Sequence, residues 1–257
     1  MPLMIGTSGW QYRSWRETFY PAGVAQARWL EHYAARFQTV EVNNAFYRLP
    51  EGRTFADWAR RTPDDFLVAV KMSRYLTHVR RLREPAEPVK LFLSRARELG
   101  AKLGPVLLQL PPTLRADAVA LDATLRCFPA AVRVAVELRH ESWFTDETAA
   151  VLGSHGAALC LADGPRLRTP LWRTTDWAYL RLHEGRATPR PCYGRTALSG
   201  WARRLAETWG PDVDTFAFFN NDERCCAVRD ATVLATTGRG AGLRPTRVPS
   251  ADEVRVS

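Results

Sequence analysis

The sequence predicts an α/β protein folded as a (β/α)8 barrel, slightly irregular around strands six and seven. Three observations predict it. Eight short apolar segments alternate with helical patterns, the signature of a parallel sheet. The length, 257 residues, matches a single barrel of about 250 residues. Polar side chains gather at the C-terminal ends of the segments, the end where a closed parallel barrel builds its site. An open parallel sheet with an added subdomain is the rival. Residues 1–238 are expected to form one domain. Residues 239–257 mix Gly, Pro, Arg and small polar groups and are expected to form a loosely ordered tail.

Strand one runs from Leu3 to Thr7 and leaves through Gly6-Thr7-Ser8-Gly9-Trp10, whose glycines permit a tight exit and close backbone approach. This is not G-x-G-x-x-G, and no P-loop lysine follows, so no nucleotide fingerprint is supported. Tyr12, Trp15 and Tyr20 make the next loop aromatic. Trp29, Leu30, Tyr33 and Phe37 fall at helical spacing within Ala25 to Phe37. Strand two, Gln38 to Asn43, sets Val40 and Val42 against Thr39, Glu41 and Asn43. Asn44, Phe46 and Tyr47 extend it into a loop ending at Pro50.

A short helix, Phe55 to Arg61, is closed by Pro63, and strand three runs from Phe66 to Lys71 with His78 shortly beyond. After a helix at Ala86 to Leu99, strand four, Val106 to Leu110, carries Gln109 as its lone polar residue and stops at Pro111-Pro112. Asp117 to Phe128 is helical. Strand five lies in the stretch Val132 to Trp143, where Glu137 and Arg139 oppose the apolar parity of Val134, Val136 and Leu138. Phe144 to His155 is helical. Strand six, Ala157 to Ala162, ends on Asp163, and residues 165–176 carry two prolines and no helical pattern, which is the irregularity. Strand seven, Ala178 to His183, presents Tyr179, Arg181 and His183 on one face. A helix at Leu198 to Trp209, strand eight at Thr215 to Asn220 and a helix at Glu223 to Thr236 complete the chain.

Hydrophobic residues make up 46% and charged residues 25%, ordinary values for a globular protein. The formal charge of +9 is carried by arginine, since only Lys71, Lys90 and Lys102 are lysines. The arginines are spread along the chain, which fits a solvated basic surface, although nucleic acid or an anionic substrate would also suit the charge. The five cysteines form no C-x-x-C pair. Their odd count fits a reducing compartment and buried thiols better than a disulfide frame or a zinc site, with Cys225 and Cys226 as helix residues. The first strand begins near residue 3, and no run of 18 apolar residues occurs, so a cytoplasmic protein without membrane contact is expected.

A Glu and an Arg leaving an apolar strand on one face are costly unless that face lines a site. The candidate catalytic residues are Glu137, His183, Lys71 and Glu41. The candidate substrate contacts are Ser8, Trp10, Tyr12, Asn43, Tyr47, His78, Gln109, Arg139, His140, Trp143, Asp163, Arg181, Asn220 and Asn221. The plain alternative is that Glu137 with Arg139 or Arg181 is a buried ion pair that only fixes the barrel mouth. No cofactor is expected. A divalent metal on Glu41, Glu137, Asp163 and His183 is a weaker alternative, because Lys71, Arg139 and Arg181 would crowd it with cations. Glu41 with Glu137 would suit a glycosidase, and Lys71 with a depressed pKa would suit a Schiff base. The cationic groups favour an anionic substrate held by Arg139 and Arg181, with acid–base work on Glu137, His183 or Lys71.

Gly6-Thr7-Ser8-Gly9-Trp10, Val40-Glu41-Val42-Asn43, Thr77-His78, Leu108-Gln109-Leu110-Pro111-Pro112, Val136-Glu137-Leu138-Arg139-His140, Tyr179-Leu180-Arg181-Leu182-His183 and Phe219-Asn220-Asn221 resemble the motifs of the YecE-like family, domain of unknown function 72. The resemblance spans about residues 3–237 and departs from the family at Glu184-Gly185 and after Asn221. It implies a TIM-barrel fold and supplies no reaction. The expected function is an enzyme acting on a small anionic or polyhydroxylated substrate. The alternatives are a nucleic-acid-binding or processing barrel, for which Trp10, Tyr12, Trp15, Tyr47 and Trp143 would stack on bases, and a non-catalytic partner protein.

Overall fold

A computed structural model describes residues 2–164 and 169–254. Its strands are β1 (Leu3–Thr7), β2 (Thr39–Val42), β3 (Leu67–Lys71), β4 (Leu103–Gln109), β5 (Val134–Glu137), β6 (Ala158–Asp163), β7 (Ala178–Leu182) and β8 (Thr215–Phe219). All are parallel to their neighbours, in the order β1-β8-β7-β6-β5-β4-β3-β2, which is the expected (β/α)8 barrel. The helices are α1 (Trp29–Arg36), α2 (Asn44–Tyr47), α3 (Gly52–Arg60), α4 (Ala86–Ala96), α5 (Ala118–Leu125), α6 (Asp146–Ser154), α7 (Arg195–Trp209) and α8 (Cys226–Gly240). Asp117 and Thr145 accept the backbone N–H groups of Ala120 and Thr148, satisfying donors that α5 and α6 would otherwise leave open.

The period of two sorts the strand side chains into two cores. Val40, Val68, Val70, Val106, Leu108, Val134 and Val136 pack outward under the helices. Ala69, Leu107, Ala135, Ala158, Cys160, Tyr179, Phe216 and Phe218 fill the barrel interior. Small residues on β3, β5 and β6 face the large rings of β7 and β8, so the interior closes as a packed core.

No backbone ladder joins β1 to β2. Tyr33 of α1 bridges them instead: its hydroxyl accepts from Thr7 N at 3.0 Å and donates to Thr39 O at 3.1 Å. The strands also approach closely there, for a Cβ on Gly6 would lie 2.4 Å from Thr39 O. The glycine expected to permit close approach does so at the barrel seam.

Four expectations are corrected. Asn44–Tyr47 is a helical turn, not an extension of the strand. It buries Ala45 and Phe46 and leaves Tyr47 76% exposed. Cys192 and Cys226 form a disulfide, 34 residues apart in sequence, rather than remaining thiols. The fold brings the β7–α7 loop against the start of α8, a proximity that spacing alone does not encode. Cys225 lies in the turn before α8, not in the helix. Finally, the segment after α8 is tied to the foot of the barrel. Leu243 is buried, Leu3 exchanges backbone bonds with Arg244 and Thr246, and Arg247 reaches Asp65 and the carbonyls of Ala34 and Phe37. Residues 169–177 form no helix, as expected, and residues 165–168 lie outside those described.

Candidate functional site

Three charged side chains stand at the C-terminal end of the barrel axis with almost no solvent contact. Arg181 from β7 is 1% exposed and Glu41 from β2 and Glu137 from β5 are 0% exposed. Arg181 Nη2 donates to Glu41 Oε1 at 2.8 Å and Nη1 donates to Glu137 Oε2 at 2.6 Å. The remaining acceptor capacity is also used. Ser8 Oγ donates to Glu41 Oε1 at 2.8 Å and Tyr179 Oη to Glu41 Oε2 at 2.6 Å. Gln109 Nε2 lies 3.0 and 3.1 Å from the two oxygens of Glu137, and Arg139 Nε is 2.6 Å from Oε1.

Burial by itself would raise the Glu137 pKa, but Arg181, His183 and Arg139 overcome it and hold the carboxyl well below the usual range. Burial likewise opposes the Arg181 charge, and the Glu41 and Glu137 carboxylates outweigh it. Burial and then the Glu41 carboxylate push the Tyr179 hydroxyl well up, so it stays a hydrogen-bond donor. Such a network is a weak source of net stability, but removing one member leaves the others buried and uncompensated.

Beside this network sits Lys71, 7% exposed at the end of β3. Its Nζ lies 4.0 Å from the centroid of the Phe46 ring, and among the described residues it makes no hydrogen bond or ion pair. Burial first and Arg181 second lower its pKa to about 8. His78, whose ring meets the Phe46 ring edge-on at 4.9 Å, is pushed down to about 4 by burial and by Lys71, Arg139, Arg74 and Arg81. This corner of the mouth is therefore positive. On the other side of Glu137, His183 Nε2 is 3.4 Å from Oε1, too long for a good hydrogen bond, and has no other partner among the described residues. Asn220 Nδ2 lies 3.2 Å from His183 Nδ1, and donation there places the ring proton on Nε2.

The fold thus brings together Ser8, Glu41, Gln109, Glu137, Arg139, Arg181, His183 and Asn220, with Lys71 and His78 on the positive flank. Asn43 joins them, donating to Ser8 O at 3.2 Å with its Oδ1 unpartnered. Tyr12 donates to the same carbonyl at 2.6 Å. Six other candidates stand outside this cluster. Trp143 is buried and donates to Leu114 O, and Trp10 is buried against Trp58. Asp163 has the outward parity of β6 and accepts from Trp201 Nε1 on α7. Asn221 is buried, donating to Asp230 and Pro191 O. His140 Nδ1 accepts from Ser142 N, and Tyr47 points into solvent. With Asp163 turned away, the four-residue metal set is not assembled, and no group of three His, Cys, Asp or Glu suited to a metal occurs among the described residues.

Tyr179 belongs to the site although absent from the candidates. Its shared parity with Arg181 and His183 was the available signal. With Trp10, Trp15 and Trp143 buried, three of the five aromatics offered for base stacking are inaccessible. A cleft of about 700 Å³ beside Asp163, Glu184, Tyr193 and Trp201, and one of about 170 Å³ beside Ser8, Tyr12 and Asn43, open near the mouth. The smaller borders Ser8 and Asn43 at the Glu41 end of the network, and the larger lies toward α7. No helix among the described residues is long and apolar enough to cross a membrane.

A family profile described as "Protein of unknown function DUF72" matches residues 4–252. The UPF0759 protein YunF of Bacillus subtilis is 24% identical over 253 residues, covering 86% of this chain and 89% of its own. A DUF72 family protein of Thermotoga maritima, solved by crystallography, is 28% identical with a TM-score of 0.80, over 92% of this chain and 98% of that one. A DUF72 family protein of Enterococcus faecalis is 17% identical with a TM-score of 0.78, over 96% and 98%. The D-allulose 3-epimerase of a Methylomonas species, 14% identical with a TM-score of 0.51 over 93% and 94%, shares the fold alone.

Proposed function

Because the chain belongs to the DUF72 family, described only as proteins of unknown function, we propose its activity from its own residues: an enzyme that binds a small anionic substrate at the C-terminal mouth of the barrel. Lys71 and His183 are its proton-transferring or nucleophilic groups. Arg139 is its anion contact. Glu41, Glu137 and Arg181 hold the others in place. The observation that carries this reading is Lys71, a nearly buried amine with no polar partner and a pKa lowered to about 8. A lysine with only a structural duty would point its ammonium into water or onto a carboxylate. Glu137, held well below the usual carboxylate range, is a poor base near neutrality, so acid–base work passes to its neighbours.

The test is a thermal-shift screen of small carboxylates, phosphates and sugar acids. At least one anion is expected to raise the melting temperature of the native protein and to lose that effect with Arg139→Ala. If no small anion stabilises the protein, the reading is wrong.

A further inference from the structure

We infer that Lys71 forms an imine with the carbonyl carbon of a small 2-oxo acid whose carboxylate is received by the outer face of Arg139. This deepens the functional reading above and rests on it.

The three lysines of the chain have different surroundings. Lys102 Nζ is held by the carbonyls of Ala59 and Thr62 at 2.6 and 2.7 Å. Lys90 lies on the surface of α4, its side chain 78% exposed. Lys71 alone stands at a strand end facing the network. All four carboxylate oxygens of Glu41 and Glu137 already accept from other groups. Their nearest donors leave no oxygen dedicated to Lys71, and an unpaired ammonium held at 7% exposure is costly. The position raises the fraction of neutral amine, to about half near pH 8, and a neutral amine is the nucleophile that attacks a carbonyl.

The second half of the ligand follows from Arg139. Among the described residues only its Nε is engaged, by Glu137, and its side chain is 34% exposed. The terminal nitrogens offer the planar pair of donors that suits a carboxylate. Burial first, and then Lys71, Arg139, Arg74 and Arg81, keep His78 uncharged, and the same cations attract an anion arriving there. Among the described residues, Asn43 Oδ1, His183 Nε2 and Arg181 Nε are buried at this end of the barrel without partners.

The chemistry balances without a redox partner. The Nζ lone pair adds to the carbonyl carbon, and the carbonyl oxygen takes up a proton as the nitrogen releases one. The resulting carbinolamine loses its hydroxyl with a proton, as water. A C=N bond to Lys71 replaces the C=O bond. Solvent at the barrel mouth carries the protons.

The experiment uses the full chain with glyoxylate, the smallest 2-oxo acid, and cyanoborohydride at about pH 8, followed by peptide mass spectrometry. The hydride reduces any imine to a stable N-carboxymethyl lysine. The expected product is modification of Lys71 at least about tenfold faster than of Lys90, from the larger free-amine fraction. Arg139→Ala is expected to slow it severalfold, and Lys71→Arg to abolish it while circular dichroism remains native. Equal labelling of Lys71 and Lys90, or none at Lys71, overturns the imine. In that event, acetic anhydride separates the two readings. If glyoxylate still protects Lys71 from acetylation, the anion site stands and only the imine is lost. If it does not protect, the anionic-substrate reading falls as well.

Discussion

Replacing Lys71 with methionine should make the protein more stable at neutral pH, although a charge–ring contact is removed. In the folded state the amine titrates at about 8 against a reference of 10.5, a depression of about 2.5 units. At about 1.4 kcal/mol per unit, the buried ammonium costs about 3.5 kcal/mol. Exposure of 7% leaves little solvent to screen that cost. Against it stands the contact with the Phe46 ring at 4.0 Å, worth about 1 kcal/mol. Methionine keeps the unbranched stem and loses the charge. The net gain is about 2.5 kcal/mol.

The sign with pH is fixed by linkage. Between about pH 8 and about pH 10.5 the unfolded chain binds the Lys71 proton and the folded chain does not, so native stability rises with pH there. The advantage of Lys71→Met is therefore full below about pH 8 and fades through this window. Urea unfolding of both proteins from about pH 6 to about pH 10.5 measures it as a converging difference in midpoint at constant slope. A variant less stable than the native protein at pH 7, or a difference that ignores pH, would refute the reasoning. Stabilisation combined with loss of glyoxylate labelling would mark a residue kept for chemistry at the expense of the fold.

Glu137→Gln keeps the shape but leaves Arg181 and Arg139 without their shared charge, and is expected to destabilise the protein by about 3–5 kcal/mol in urea unfolding. A loss below about 1 kcal/mol would mean that the network relaxes freely. Because the Glu137 pKa is depressed, its contribution is present above the ordinary carboxylate range and is lost only as pH falls through the lower folded value. Denatured but unreduced protein should expose three reactive thiols, those of Cys127, Cys160 and Cys225, because Cys192 and Cys226 are joined. Titration of five would remove the disulfide, whose 34-residue separation implies about 3–4 kcal/mol of stabilisation.

Residue pattern was enough for the barrel and for the end of it that matters. A strand with one apolar parity has one way to sit between helices and a barrel interior, so Glu41, Lys71, Glu137 and Arg181 were bound to point inward at one end. The motif around Gly6 carried the close approach at the seam. Periodicity could not separate Glu137 from Asp163, because β6 is apolar on both parities before Asp163, and only the closed barrel shows that one carboxylate meets Arg181 and the other Trp201. Nor could it divide the inward set into groups held fast and groups left free. That division depends on who reaches whom across the barrel. Arg181 spans from β7 to both β2 and β5, Tyr179 takes the last oxygen of Glu41, and Lys71 is left with an aromatic ring. The Cys192–Cys226 pair arose in the same way, from loops joined by the barrel rather than by spacing. Side-chain direction is a local property of a strand. Pairing among side chains from eight strands is a property of the closed barrel, and only the tertiary structure decided it.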